Sequence, residues 1–338
     1  MSTMTTAIRT ISIQTIQGNG LQSPQAGHVV RTRGVVTGRS RKGFFIQDPE
    51  AETTDTGSCG LFVFSYEHKP AIGTMVEAEG KIVDFVREEG DRPTTELALR
   101  DLRELGRGPT IEAYWLTAAN LPTDTMRLAS MLNSLEGMLV GIRADATFIA
   151  PSNPFGDYVL AAADTGDESR SVNGGVVIDP ANPERWFPSF RIINYALAPQ
   201  VNVGARLLQP ITGPLNYRGG SYQIAVQGPI EVAPAEVAVA RTSLLPDDAA
   251  VTVMTLNGFN LDVKIEDPAL AQDPRRDVDD DVGDGRFRSL ARAVVEQAQG
   301  PDIIALQEIQ DNDGAEISAV VDATQTYEKL IDEIRRHK

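Results

Sequence analysis

Hydrophobic and polar positions are patterned differently in two parts of the chain. Up to about Ala240, short runs rich in β-branched and aromatic residues alternate with clusters of turn formers. Val29 to Val36, Gly43 to Gln47, Leu61 to Phe64, Met75 to Phe85 and Thr95 to Leu102 have the composition of strands. Gly38 to Gly43, Asp48 to Gly60 and Glu88 to Pro93 supply the turns between them. Five short strands so closely spaced predict a small barrel, with Gly34, Gly38, Gly73 and Gly80 at the bends it needs.

The strand count and spacing suit a Greek-key barrel of the OB kind over residues 1–108. A second β domain is expected over 109–235, with strands at Leu139 to Ile142, Tyr158 to Ala162, Val176 to Ile178, Arg206 to Ile211 and Tyr222 to Val226. Ile72-Gly73, Gly80 and Glu96-Leu97 in the first domain have loose counterparts in Val203-Gly204, Gly213 and Gly219-Gly220-Ser221-Tyr222. This weak repeat suggests that the second domain is also OB-like. Asp164 to Pro188, rich in Gly, Asn and Pro, reads as a loop. Pro229, Pro234 and Pro246 mark an extended connection, the linker proper being 236–249.

From 250 to 338 the texture is that of an α/β layer. A strand at Val251 to Leu256 leads through an acidic loop, Asp273 to Asp284, into a helix with Phe287, Leu290, Val294 and Val295 on one face. Gly300 and Pro301 stop that helix. Ile303 to Leu306 is a continuous apolar run, as expected of a strand covered on both faces. Tyr327, Leu330, Ile331 and Ile334 line one face of a last helix. A calcium EF-loop starting at Asp277 would need glycine sixth and glutamate twelfth, and Val282 and Arg288 stand there. The acidic loop therefore reads as solvated, with Asp284 capping the helix that follows.

Composition narrows the classes of function. The 338 residues are 41% hydrophobic and 23% charged, an ordinary globular balance. No apolar stretch reaches the roughly 20 residues of a membrane-spanning helix. Met1 to Gln14 contains one arginine and no apolar core, so it does not read as a secretory signal. The single cysteine, Cys59, excludes an internal disulfide and a cysteine zinc cage. A net charge of −16 argues against coating nucleic acid by overall charge, although a bound metal can invert the field locally.

Both α/β strands end in a polar group, Asn257 in the first and Glu308 in the second. A carboxylate at the rim of an apolar strand is costly unless paired, and a hard divalent cation is a natural partner. Each residue also has a plainer reading: an exposed Glu at a strand end, and an Asn-Gly turn dipeptide. Taken together, Thr255-Leu256-Asn257, the amphipathic helix, the Pro301-Asp302-Ile303-Ile304 lead-in and Leu306-Gln307-Glu308 resemble the endonuclease/exonuclease/phosphatase superfamily. The layout and Gly43-Phe44-Phe45-Ile46-Gln47-Asp48-Pro49 are similar to its large bacterial extracellular nucleases, in which OB-like domains come first.

The resemblance implies a two-sheet, deoxyribonuclease-like sandwich and a nucleic-acid substrate hydrolysed with Mg²⁺ or Mn²⁺. Glu308 would be the metal ligand and Asn257 a catalytic hydrogen-bonding group, with Asn260 a neighbour and Gln307 and Asn312 candidates for the surrounding shell. Location outside the cell is implied on the same ground. The family also uses a histidine, an Asp-x-Asn pair and a late Ser-Asp-His element. His28, His68 and His337 match none of these. Such a sandwich needs on the order of 250 residues, so the chain is expected to carry only the first portion of a catalytic domain, inactive alone and marginally stable there. A phosphatase of the same fold is one alternative. Another is a non-catalytic nucleic-acid-binding protein using Arg39, Arg41, Lys42, Phe44 and Phe45, unless Phe44 or Phe45 faces the barrel core. Oligomeric state is left open by the sequence.

Overall fold

The computed structural model describes residues 8–51, 57–122, 124–153, 157–163, 175, 189–192, 199–236, 239–244, 247 and 249–338. The chain divides into two compact units, Met1–Val237 and Ala238–Lys338. It is built mainly from β-sheets with few helices, and no helix among the described residues is long and apolar enough to cross a membrane.

The first unit opens with a short helix, α1 (Ile13–Gln17), capped by Ser12. Five strands follow: β1 (Val29–Ser40), β2 (Gly43–Gln47), β3 (Gly60–Phe64), β4 (Thr74–Phe85) and β5 (Thr94–Arg107). They close into a barrel in the order β1-β2-β3-β5-β4, with β3 and β5 parallel and the other pairs antiparallel. Alternate residues point inward. Val36, Phe44, Ile46, Leu61, Val63, Val76, Ile82 and Leu97 fill the interior, together with Ile13 and Ile16 of α1. Each such side chain contributes roughly 2 kcal/mol on burial.

Next come β6 (Tyr114–Trp115), α2 (Thr125–Ser134), β7 (Leu139–Ile142), β8 (Thr147–Phe148), β9 (Asp157–Tyr158), β10 (Leu160–Ala161), β11 (Ser189–Ile192), β12 (Arg206–Leu207), β13 (Ile211–Arg218), β14 (Ser221–Val226) and β15 (Val232–Ala233). These strands form a six-stranded sheet, β6-β7-β13-β14-β11-β9, and a four-stranded one, β10-β8-β12-β15. The second barrel suggested by the repeat is therefore not what the described residues form. Pro210 explains one difference: lacking an N–H, it splits the expected strand Arg206 to Ile211 into β12 and the start of β13. The β13–β14 hairpin turns on Gly219 and Gly220, both left-handed at φ 58° and 77°, as a two-residue hairpin loop requires. The expected strand Val176 to Ile178 and nearly all of the loop Asp164 to Pro188 lie outside the described residues.

Barrel and sheets meet where Gly60 lies against Gly137. Around that contact, Leu139 N donates to Gln47 Oε1 (2.7 Å), Gln17 Nε2 to Gly60 O (2.6 Å) and Thr95 N to Glu136 Oε1 (3.0 Å).

The second unit contains β16 (Val253–Leu261), α3 (Arg286–Arg292) running into a π-helical turn (Ala293–Gln297), β17 (Ile303–Ile309) and α4 (Thr324–His337). The strands are parallel, pairing Val253 with Ile303 through Asn257 with Gln307. Thr252 and Asp302 clamp their starts: Thr252 N and Oγ1 both donate to Asp302 Oδ2 at 2.8 Å, and Asp302 N donates back to Thr252 Oγ1 at 3.0 Å. Leu261, Phe287, Leu290 and Leu330 form the core, with Leu256, Leu306 and Ile334 packed on it. Only one sheet face is covered. Val253 and Ile303, paired across the strands, are 63% and 53% exposed, so the strand expected to be buried on both faces is not. The reason is that among the described residues the sheet has two strands and a helical layer on one side.

Candidate functional site

The two residues chosen from sequence lie on the paired strands, Asn257 within β16 four residues before its end and Glu308 one residue before the end of β17. Asn257 stands opposite Gln307, with Glu308 next along the partner strand. Beyond Asn257 the register slips until Leu261 meets Ile309. Three non-glycine residues there adopt left-handed backbone: Phe259 (φ 59°), Asn260 (58°) and Glu308 (51°). Each costs on the order of 1 kcal/mol or more and persists only where the surroundings enforce it. Gly258 permits the close approach of the strands, since a Cβ there would lie 2.6 Å from Ile309 Cδ1 and 3.0 Å from Glu308 O.

Asn257 is not in a hairpin. Its Oδ1 accepts from Phe259 N (2.7 Å), which leaves the Nδ2 donors without a partner among the described residues. The Glu308 side chain is exposed. Gln307 Nε2 donates to Ala305 O (3.2 Å). Asn312 works at the start of α4, donating to Asp322 (2.9 Å) and accepting from Gln325 N (2.8 Å), so its polar atoms serve the helix.

Beneath this rim lies a buried acidic cluster. Asp262, Asp279 and Asp281 offer oxygens that all lie within 4.8 Å of one another. Asp262, Asp281 and Glu266 are almost wholly buried. Most of the loop expected to be solvated is exposed, but Asp281 is buried and Asp279 half-buried within it, and Asp284 Oδ1 accepts from Arg286 N (2.9 Å) just before α3. Backbone donors satisfy much of the cluster. Asp262 N donates to Asp281 Oδ2 (3.1 Å), Lys264 N to Asp262 Oδ1 (2.8 Å), and Asp279 N and Ala315 N to the two Glu266 oxygens (3.2 and 3.3 Å).

Arg286 is the cluster's cation. Its Nη1 lies 2.6 Å from Asp281 Oδ1 and its Nη2 3.2 Å from Asp279 Oδ2. The same guanidinium donates to Phe259 O (3.0 Å). Gln310, with its amide nitrogen turned inward, donates to Asp262 Oδ2 (3.1 Å) and Asn260 O (3.2 Å). The left-handed bulge is thus held by the cluster's own hydrogen-bonding groups.

Three carboxylates at this spacing could hold a divalent ion, but Arg286 already meets part of the charge and protons meet more. Burial pushes the Asp262 carboxyl up to about 7, with Glu266, Asp281 and Asp279 adding to the rise and the Lys264 N–H opposing it. Burial likewise raises Asp281 to about 6, against the pull of the Asp262 N–H and Arg286. The folded protein therefore keeps protons that an unfolded aspartate, ordinarily near pH 4, has lost. The stability this confers is complete below about pH 4 and is lost as pH rises through 6 to 7. We expect the free energy of opening α3, read from amide hydrogen exchange, to fall from pH 5 to pH 8. Asp262→Asn should flatten the profile and stabilise α3 by about 1–2 kcal/mol at pH 8. A steeper profile in the variant would contradict this.

Among the residues selected for nucleic-acid contact, Arg41 and Lys42 are exposed at the β1–β2 turn. Phe44 is not available, because it is fully buried in the barrel core beside Ile46. The exposed ring at this corner is Tyr66, which follows β3.

Comparison with known proteins adds little to this picture. Residues 129–234 match a model described as a Domain of unknown function (DUF8508). No curated protein matches. One crystal structure, described as that of an aspartyl-tRNA synthetase from Leishmania major Friedlin, aligns at 14% identity with a TM-score of 0.23. The alignment covers 40% of this chain and 28% of that one.

Proposed function

We propose that the second unit carries the metal-binding edge of a phosphodiesterase acting on nucleic acid. What supports this reading is the pairing of β16 and β17, in which Asn257 stands opposite Gln307, the chain neighbour of Glu308, next to the left-handed backbone of Phe259, Asn260 and Glu308. The donor chemistry fits Mg²⁺ or Mn²⁺, since such ions are commonly held by one or two carboxylates together with substrate phosphate. Glu308 would hold the ion, which when bound neutralises charge on the phosphate. With Oδ1 taken by the Phe259 N–H, Asn257 has donors left for a phosphate oxygen.

The barrel's strand order, β1-β2-β3-β5-β4 with β3 parallel to β5, supports an OB kind of module ahead of that unit, and a polymeric substrate suits such modules. Location outside the cell is part of the proposal through the sequence resemblance alone. The test is whether Mn²⁺ and a phosphodiester strengthen each other's binding. Mn²⁺ should tighten binding of a short phosphorothioate oligonucleotide by about tenfold, and Glu308→Gln should abolish that gain. An unchanged gain in the variant would refute the role of Glu308.

A further inference from the structure

The barrel carries a second feature that does not depend on the phosphodiesterase reading. By the alternation that sends Leu61 and Val63 into the core, Phe62 and Phe64 stand on the outer face of β3. Phe62 packs on Phe45 of the neighbouring strand, with ring centroids 4.8 Å apart. Phe64 meets Tyr66 edge-on at 5.2 Å, and Tyr66 is 65% exposed. A row of rings therefore runs along one side of the barrel and ends in an open one.

Cations gather at the same end. Arg39, Arg41 and Lys42 lie at the β1–β2 turn, and the Ser65 N–H donates to Lys42 O (2.9 Å), drawing the chain after β3 beside it. Lys69 joins them, its Nζ donating to Ser65 O (2.7 Å). Burial and then the neighbouring Arg39 charge lower the Lys69 pKa, so two like charges are held near each other. None of these four makes an ion pair among the described residues, whereas Arg31, Arg33 and Arg103 on the same barrel are matched to Glu79 and Glu77. Two carboxylates are nearby. Glu67 is exposed in the turn itself, and half-buried Glu96 stands across from Phe62 within the influence of Lys42.

We infer that this corner of the barrel binds single-stranded nucleic acid, with Tyr66 and Phe64 stacking bases and Arg39, Arg41, Lys42 and Lys69 facing the phosphates. Rings beside unpaired cations are what a sequence-tolerant single-strand site requires. A strongly acidic protein gains such affinity only through a local cluster of this type.

The experiment uses the full chain in EDTA, so that any metal-dependent event at Glu308 is silent. A dye-labelled oligothymidylate of about 16 nucleotides is titrated by fluorescence anisotropy over a range of salt. Tyr66→Ala should weaken binding by about tenfold, and Tyr66→Phe should restore it. Arg41→Ala combined with Lys42→Ala should lower the slope of log affinity against log salt by about 1.4. A duplex of equal length should bind more weakly than the single strand. The inference is overturned if the wild-type chain does not bind in low salt, if Tyr66→Ala leaves affinity unchanged, or if the duplex binds as well.

Discussion

Replacing Arg286 with Met should destabilise the second unit by about 3 kcal/mol, because the Asp281 side chain, fully shielded from water, then loses its partner. The loss exceeds that of an ordinary surface ion pair, which contributes about 0–1 kcal/mol. Asp279 loses its contact as well, and Phe259 O loses a donor, so the bulge carrying Phe259 and Asn260 loosens with the cluster. Adding Asp281→Asn to Arg286→Met should recover much of the stability by removing the stranded charge. Hydrogen exchange of the α3 amides separates these outcomes. Equal protection in the wild-type and Arg286→Met proteins would show that the ion pairs hold nothing together.

Gly60→Ala should cost the first unit about 3 kcal/mol or more. A Cβ at Gly60 would lie 2.1 Å from Gly137 C and 2.2 Å from Met138 N, and these are backbone atoms that cannot swing aside. Gly137 is itself left-handed at φ 75°, so the facing chain has little freedom to retreat. Gln47, Gln17 and Glu136 all bond at this contact, and a shift there disturbs each. Urea unfolding followed through Trp115, which lies in this unit, reports the effect directly. A variant with an unchanged midpoint would mean that the two backbones part without cost.

The barrel was legible because its strands alternate cleanly or run apolar between strong turn signals. Observed β1 to β5 each contain the predicted segment or nearly so, as Gly43 to Gln47 does. The sheets after it were less so. Several strands there are two residues long, too short for any periodicity, and Pro210 breaks a run that otherwise reads as one strand. Helix α2 did leave a signal, with Asp124 as its cap and Leu128 and Leu132 four apart. The difference between Phe44 and Phe45 is one of parity. Phe44 shares the inward side with Ile46, and nothing local says which of two adjacent phenylalanines faces in.

In the second unit, Asn257 and Glu308 stood out because each ends an apolar run, a contrast visible without coordinates. The cluster beneath them did not stand out. Asp279 and Asp281 look solvated in the sequence until Glu266 and Arg286 are brought to them. The left-handed backbone at Phe259, Asn260 and Glu308 was equally hidden, since none of these is the glycine that usually announces such geometry.

The claim that Glu308 anchors a divalent ion is tested most directly by titrating the full chain with Mn²⁺ beside a phosphorothioate oligonucleotide and following free Mn²⁺ by electron paramagnetic resonance. The wild-type protein and Asp262→Asn should share a bound ion that Glu308→Gln lacks. If Glu308→Gln binds Mn²⁺ as the wild type does, the metal lies elsewhere and the phosphodiesterase reading fails.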